Sequence, residues 1–307
     1  MGTVGRMDEP GCSHSAVIHS GAEDLVRRLV PHFQLAHSQA AAVLVCVDAA
    51  IEARVRAEMG SMCDGFEFRS ADARYSAPGQ AMTALHSFVA DAGARGAPSF
   101  WSIGAIPLEH DGRDHRWVRY EAAVSTIFAG LALRAVCLYD SVRTPVSLWE
   151  GIERAHDRCD GVWTSDGTTR FDHHLAMDEV PFREPDLFMR DPEPRDVRTA
   201  VQRAVADTVS ENYLADLLLV CSEVASNAVV HGTRPVEVAL WREPAGCFVQ
   251  VCDSGTQPID PIADLRPRAG GAHGGFGLWT VGQLGDILEI ATTPSGHAVT
   301  IFVPTRA

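Results

Sequence analysis

The sequence predicts an α/β amino-terminal half with a mainly parallel sheet, followed by an α+β carboxy-terminal sandwich. Three observations carry this. The chain has 307 residues, too many for one small domain and suited to two of ordinary size. Its first half alternates short apolar runs with helix-like stretches, the pattern of strands joined by crossover helices. Its second half opens on helical periodicity and closes on paired strands, which places helices on one face of a mixed or antiparallel sheet.

In the first half, residues 42–47 form an apolar run that ends in Asp48, and a helical stretch follows to about Met59. A second, weaker strand covers 66–69. Pro78 opens a helix through Ala92, with Met82, Leu85, Phe88 and Val89 at three-to-four spacing. A third strand covers 100–103 and a helix 121–129. The fourth strand, 134–139, ends in Asp140, and a helix over 146–157 closes the unit.

Residues 159–194 are broken by Gly161, Gly167, Pro181, Pro185, Pro192 and Pro194, and carry one plausible strand, 173–177. The expected boundaries are a disordered segment over 1–13, a first domain over 14–158, a linker over 159–171 and a second domain over 172–307. In the second domain, helices are expected over 195–209 and 213–230, then strands over 236–241 and 247–252. A Gly/Pro-rich stretch over 253–275 precedes a helix over 278–284, and strands over 287–292 and 298–303 end the chain.

Composition removes whole classes of chemistry. All 26 basic residues are Arg, so a phosphate-loop Lys, a Schiff-base Lys and the catalytic Lys of eukaryotic-type kinases are excluded. A net charge of −14 argues against DNA or an anionic membrane as a direct partner. Eight Cys occur without a Cys-x-x-Cys pair, and most sit in apolar runs. With no signal-peptide pattern at the start and no apolar run long enough to span a membrane, a cytoplasmic location is expected.

The chemistry-bearing residues concentrate in the second domain. Glu223, Asn227 and His231 recur every four residues and therefore share one helix face. Carboxylate, amide and imidazole in a row suit proton abstraction beside a metal–phosphate group; a solvated face ending in a His–Gly helix stop has the same pattern. Asp253 closes a strand just before Ser254-Gly255, placed to accept a hydrogen bond from an exocyclic amine such as that of adenine. Gly270-Gly271-Ala272-His273-Gly274-Gly275-Phe276-Gly277 runs into the next helix, where backbone N–H groups can approach phosphate oxygens.

In this order, Glu223-Val-Ala-Ser-Asn227-Ala-Val-Val-His231-Gly232 resembles the N box of the GHKL ATPase/kinase superfamily. Asp253-Ser254-Gly255 resembles its first glycine box and Gly274-Gly275-Phe276-Gly277-Leu278 its second. The short length and the Gly277–Leu284 ending look most like anti-sigma-factor serine/threonine kinases. The resemblance covers about residues 172–304 and implies a Bergerat-type sandwich that binds Mg-ATP. By that likeness Glu223 is the general base, Asn227 the Mg²⁺ ligand, Asp253 the adenine reader, and Gly255, Gly274, Gly275, Gly277 and Leu278 line the nucleotide. The chain departs from the pattern at Gly255-Thr256-Gln257, where Gly-x-Gly is usual, at Phe276 for Arg or Lys, and at Ala298 for Thr. These departures predict weaker or slower nucleotide binding. Arg266 and Arg268 are the basic residues that the expected lid, 256–273, offers to phosphates.

In the first half, Tyr120-Glu121-Ala-Ala-Val124, the strand ending in Tyr139-Asp140, and Glu153-Arg-Ala-His156 resemble the MEDS sensory domain, which implies a RecA-like fold without a working phosphate loop. Glu121, Cys137, Tyr139, Asp140 and His156 can line a ligand pocket at the strand ends. The same residues also suit a plain structural part, with Cys137 in the core and His156 as a helix cap. His14 with His19, and His173-His174, lack a third ligand at suitable spacing, so no structural metal is expected.

Together these resemblances imply a regulator that binds Mg-ATP and phosphorylates a Ser or Thr on a STAS-type antagonist, sequesters a sigma factor, dimerises, and responds to a small molecule in its first domain. Two other readings stand beside it: a non-catalytic, nucleotide-gated binding module, and a sensor histidine kinase. The last lacks a phosphoacceptor hairpin before the ATP domain, since His156 is the one helical candidate and no Pro follows it.

Overall fold

The computed structural model describes residues 11–106, 108, 114–159, 162–163, 180–205, 209–266 and 277–305. The chain forms two compact units that divide, for most of their length, between residues 172 and 173.

The first unit runs β1 (Ser13–His19), α1 (Ala22–Ser38), β2 (Ala42–Val47), α2 (Ala49–Met59), β3 (Glu67–Ser70), α3 (Ala71–Arg74), α4 (Pro78–Ala94), β4 (Phe100–Ala105), α5 (His115–Ile127), β5 (Leu133–Asp140), α6 (Trp149–Ala155), β6 (Arg158–Cys159) and β7 (Val162–Trp163). The strand order is β3-β2-β4-β5-β1-β6-β7. The first six are parallel, and β7 pairs antiparallel with β6. Parallel strands buried on both faces read as near-continuous apolar runs, as β2 does. One face packs Val43, Val45, Val47, Trp101, Ile103, Val136 and Leu138 against Leu25, Leu29 and Phe33 of α1 and Ile51 and Val55 of α2. Alternation along the strands turns His14, Ala16, Cys137 and Tyr139 to the other face.

The sequence expectation omits β1 and α1. β1 buries His14 completely, so its core face is not marked by apolar residues alone, and Pro31 interrupts the pattern of α1. The expected helix over 146–157 is shorter: a 3₁₀ turn leads into α6, which stops at Ala155 because His156 is extended.

The second unit runs β8 (Leu187–Arg190), α7 (Pro194–Val205), α8 (Glu211–His231), β9 (Glu237–Glu243), β10 (Gly246–Asp253), α9 (Gly277–Leu284), β11 (Asp286–Thr293) and β12 (Gly296–Pro304). Its sheet is antiparallel, in the order β11-β12-β10-β9-β8. The strand expected over 173–177 lies outside the described residues; the edge strand seen here is β8. Val197, Val201 and Val205 of α7 and Leu217, Val220, Cys221 and Val224 of α8 pack with Val281 of α9 on Val238, Leu240, Val249, Val251, Ile301 and Val303. This is the expected sandwich with helices on one sheet face.

Candidate functional site

α8 is anchored at both ends, which fixes its polar stripe. The Ser210 hydroxyl accepts a hydrogen bond from Tyr213 N at 3.3 Å, an N-cap. The Tyr213 hydroxyl donates to Val303 O at 2.8 Å, pinning the first turn to β12. Gly232 N closes the helix on Ala228 O at 3.0 Å. With Leu217, Cys221 and Val224 in the core, Glu223 and Asn227 lie half-buried on the adjacent face, while His231 is exposed at the helix end.

The first residue of α9 packs directly on that stripe. A side-chain carbon added at Gly277 would stand 2.7 Å from Asn227 Nδ2 and 3.0 Å from Glu223 Oε2. With no side chain at Gly277, the α9 amino terminus comes this close to the carboxylate and the amide while both keep their present rotamers. A helix start, an amide and a carboxylate therefore share one small space, where backbone N–H groups favour anions. Leu278 is half-buried against the core of the sandwich. Gly274, Gly275, Phe276 and Arg268 lie outside the described residues. Arg266 is exposed and pairs with Asp260 at 3.4 Å.

Asp253 closes β10, and the turn after α8 is tied to it. Ser254 N donates to Thr233 O at 2.7 Å, Thr233 N to Asp253 Oδ1 at 3.1 Å, and Gly255 N to the same oxygen at 2.6 Å. Gly232 and Gly255 flank the carboxylate so closely that an added carbon would sit 2.7 Å from Oδ2 and 2.6 Å from Oδ1 respectively. The sequence reading missed His297. In the β10–β12 ladder it lies directly opposite Asp253, with Nδ1 3.1 and 3.2 Å from the two carboxylate oxygens and Nε2 2.6 Å from Gln257 O. The register of β10 on β12 is what reveals this residue, and no motif announces it.

In the first unit a cavity of about 360 Å³ opens at the carboxyl ends of β1, β2, β4 and β5, the usual ligand position in an open α/β sheet. Tyr139, Asp140 and His19 help line it. His19 is 8% exposed. Burial lowers the His19 pKa.

Glu121, Cys137 and His156, expected at the pocket with Tyr139 and Asp140, do not line the cavity; they form a second group behind Tyr139 with His14, which no spacing linked to them. Glu121 of α5, Cys137 of β5, His14 of β1 and His156 after α6 come together, all four buried. His14 Nε2 stands 2.7 Å from Glu121 Oε2 and 3.1 Å from Cys137 Sγ. The Cys137 thiol donates to Glu121 Oε2 at 3.0 Å, and the Tyr139 hydroxyl to Oε1 at 3.3 Å. Burial opposes ionisation of Glu121, but the hydrogen bond and charge of His14, with the Cys137 bond, outweigh it, and its pKa falls. Burial, then the Glu121 charge, raises both the Cys137 thiol and the Tyr139 phenol well above their ordinary ranges. Burial, reinforced by His14, pulls the His156 imidazole down to about 3, leaving it neutral at ordinary pH. His156 does cap its helix, as one sequence reading held, with Nδ1 2.6 Å from Ile152 O.

The first unit is thus an open α/β sheet with a cavity at its strand ends, and the second an antiparallel sheet covered on one face by helices. Residues 13–157 match the MEDS family, the MEthanogen/methylotroph, DcmR Sensory domain, and residues 191–303 match the histidine kinase-like ATPase domain. The chain thus couples a MEDS sensory domain to a GHKL-type ATPase domain. A search of curated proteins finds no match to it. Among the described residues, α8 alone is long and apolar enough to cross a membrane, and its apolar side forms the core of the sandwich.

Proposed function

We propose that the chain is an anti-sigma regulatory kinase, which binds Mg-ATP in its second unit and transfers phosphate to a Ser or Thr of a STAS-type antagonist. The observation that carries this reading is the packing of Gly277 on Glu223 and Asn227, which joins a helix amino terminus to a carboxylate and an amide. Glu223 accepts the proton of the substrate hydroxyl, and Asn227 offers an oxygen to Mg²⁺. Bound Mg²⁺ offsets charge on the phosphates. Backbone N–H groups at the start of α9, and Arg in place of the absent Lys, supply the remaining phosphate contacts. Asp253 reads adenine, Gly255 gives it room, and Gly274, Gly275 and Leu278 complete the nucleotide lining. The same unit sequesters a sigma factor and dimerises, the protein works in the cytoplasm without touching DNA or membrane, and a small molecule in the cavity beside His19 and Tyr139 sets its output.

Incubation of the chain with labelled ATP and candidate STAS-type proteins tests this. Phosphoserine or phosphothreonine on the partner is expected. Glu223→Ala is expected to bind ATP and lose the transfer; equal transfer by that variant removes Glu223 from the chemistry.

One observation favours a second reading, a nucleotide-gated binding module without turnover: His297 already occupies the Asp253 carboxylate. ATP-dependent partner capture with no phosphoprotein formed decides for it.

A further inference from the structure

We propose that the amino-terminal unit holds one divalent transition-metal ion of the Zn²⁺ class, bound by His14 Nε2, His156 Nε2, Cys137 Sγ and Glu121 Oε2. This assignment is independent of the nucleotide reading. Spacing in the sequence argued against a structural metal here. The fold overturns the reason for that expectation, because sheet register, α5 and the residue that follows α6 bring together donors that no spacing showed.

The donor atoms of these four residues all lie within 4.8 Å of one another. Two imidazoles, a thiolate and a carboxylate are the mixed N, S, O set that suits Zn²⁺ and its neighbours rather than Mg²⁺ or Ca²⁺. The charges also close. A thiolate and a carboxylate neutralise a divalent ion, so a buried site carries no net charge.

The orientation of each donor is fixed from outside the cluster, as metal ligands are. His156 Nδ1 faces the Ile152 carbonyl at 2.6 Å, an acceptor only, so the proton sits on Nδ1 and the Nε2 lone pair points inward. His14 Nδ1 faces Ser125 Oγ at 3.4 Å, again leaving Nε2 inward. Tyr139 holds Glu121 Oε1 at 3.3 Å and leaves Oε2 to the cluster. In a tetrahedral site with bonds of about 2.0–2.3 Å, ligand atoms stand roughly 3.3–3.7 Å apart. His156 Nε2 is already 3.7 Å from Glu121 Oε2, while the His14–Glu121, Cys137–Glu121 and His14–Cys137 separations of 2.7, 3.0 and 3.1 Å are shorter. Entry of the ion therefore replaces hydrogen bonds with coordination bonds and spreads those edges by about half an ångström. The Cys137 S–H bond breaks, a sulfur–metal bond forms from the sulfur electron pair, and the proton leaves to solvent. Every donor is at most 8% exposed, and all four coordination positions belong to the protein, so the ion is structural and stabilises the unit by linkage.

The test uses the full chain, expressed without a histidine tag and dialysed against metal-free buffer. Elemental analysis is expected to find about one equivalent of metal after Zn²⁺ loading, and Zn²⁺ is expected to raise the melting temperature of the first unit by several degrees. Loading with Co²⁺ should give a thiolate-to-cobalt charge-transfer band and the visible bands of a tetrahedral site. Cys137→Ser should lose the charge-transfer band and bind well below one equivalent. Where that variant fails to fold, the wild-type cobalt spectrum decides alone. Folded wild type that takes up no Zn²⁺ and shows no thiolate band with Co²⁺ overturns the assignment and leaves a hydrogen-bonded network.

Discussion

Glu121 and Glu223 are both glutamates on helices packed against a sheet, and their surroundings are opposite. Glu121 is 1% exposed and held by His14, Cys137 and Tyr139. Glu223 is half-buried beside an amide and the glycine that opens α9. A carboxylate sealed among donors is committed to them, and its removal leaves polar groups buried without partners. A carboxylate at the edge of a cradle stays available for an incoming hydroxyl. The contrast is one of solvent access, and it predicts which of the two matters to stability and which to chemistry.

Parallel alanine substitutions break that comparison most sharply. Glu121→Ala should destabilise the first unit by about 3 kcal/mol, since it strips a buried charged network of its acceptor. Glu223→Ala should change stability by less than about 0.5 kcal/mol. It should also slow phosphotransfer by at least about a hundredfold, the usual contribution of a positioned base. Denaturant unfolding followed by a probe in each unit, with a transfer assay, separates the two. Equal stability losses would mean that Glu223 is structural.

The next test moves to the cradle. Gly277→Leu places a branched side chain where an added carbon already meets Asn227 and Glu223. ATP affinity should fall by about a hundredfold, or ~2.7 kcal/mol, with the fold retained because Leu suits a helix better than Gly does. Calorimetry checks it. Unchanged affinity would place the nucleotide elsewhere. Asn227→Ala should have a smaller effect, about tenfold, confined to titrations that contain Mg²⁺.

The two units differ as much in legibility as in chemistry. The carboxy-terminal elements could be read from the sequence because their cues are local: four-residue spacing on α8, an acidic strand end, and glycines before α9. Most predicted bounds there shift by only a residue or two, the scale on which helix ends fray. The cluster around Glu121 joins residues from β1, α5, β5 and the end of α6, and those meet only through a sheet in which β1 lies between β5 and β6. Ala16 faces both Cys137 and Cys159 across that ladder, and a one-residue slip would turn His14 to the opposite face. Periodicity reports which residues are buried along one segment; it carries no information about which strands become neighbours. His297 stayed hidden for the same reason, since only the β10–β12 register sets it opposite Asp253.

That pair gives the smallest expected effect and the finest test of the nucleotide reading. If Asp253 reads adenine, His297 competes with the exocyclic amine for Oδ2, which it approaches at 3.2 Å, while Thr233 N and Gly255 N hold Oδ1. His297→Ala removes the competitor and keeps both backbone donors, so the carboxylate stays in place. ATP should then bind about three- to fivefold more tightly, a gain below ~1 kcal/mol, and GTP should gain nothing, because guanine presents an acceptor where adenine presents its amine. Parallel titrations with the two nucleotides give the answer. If ATP binds more weakly instead, the ring is a support that orients Asp253 for adenine rather than a competitor at the carboxylate.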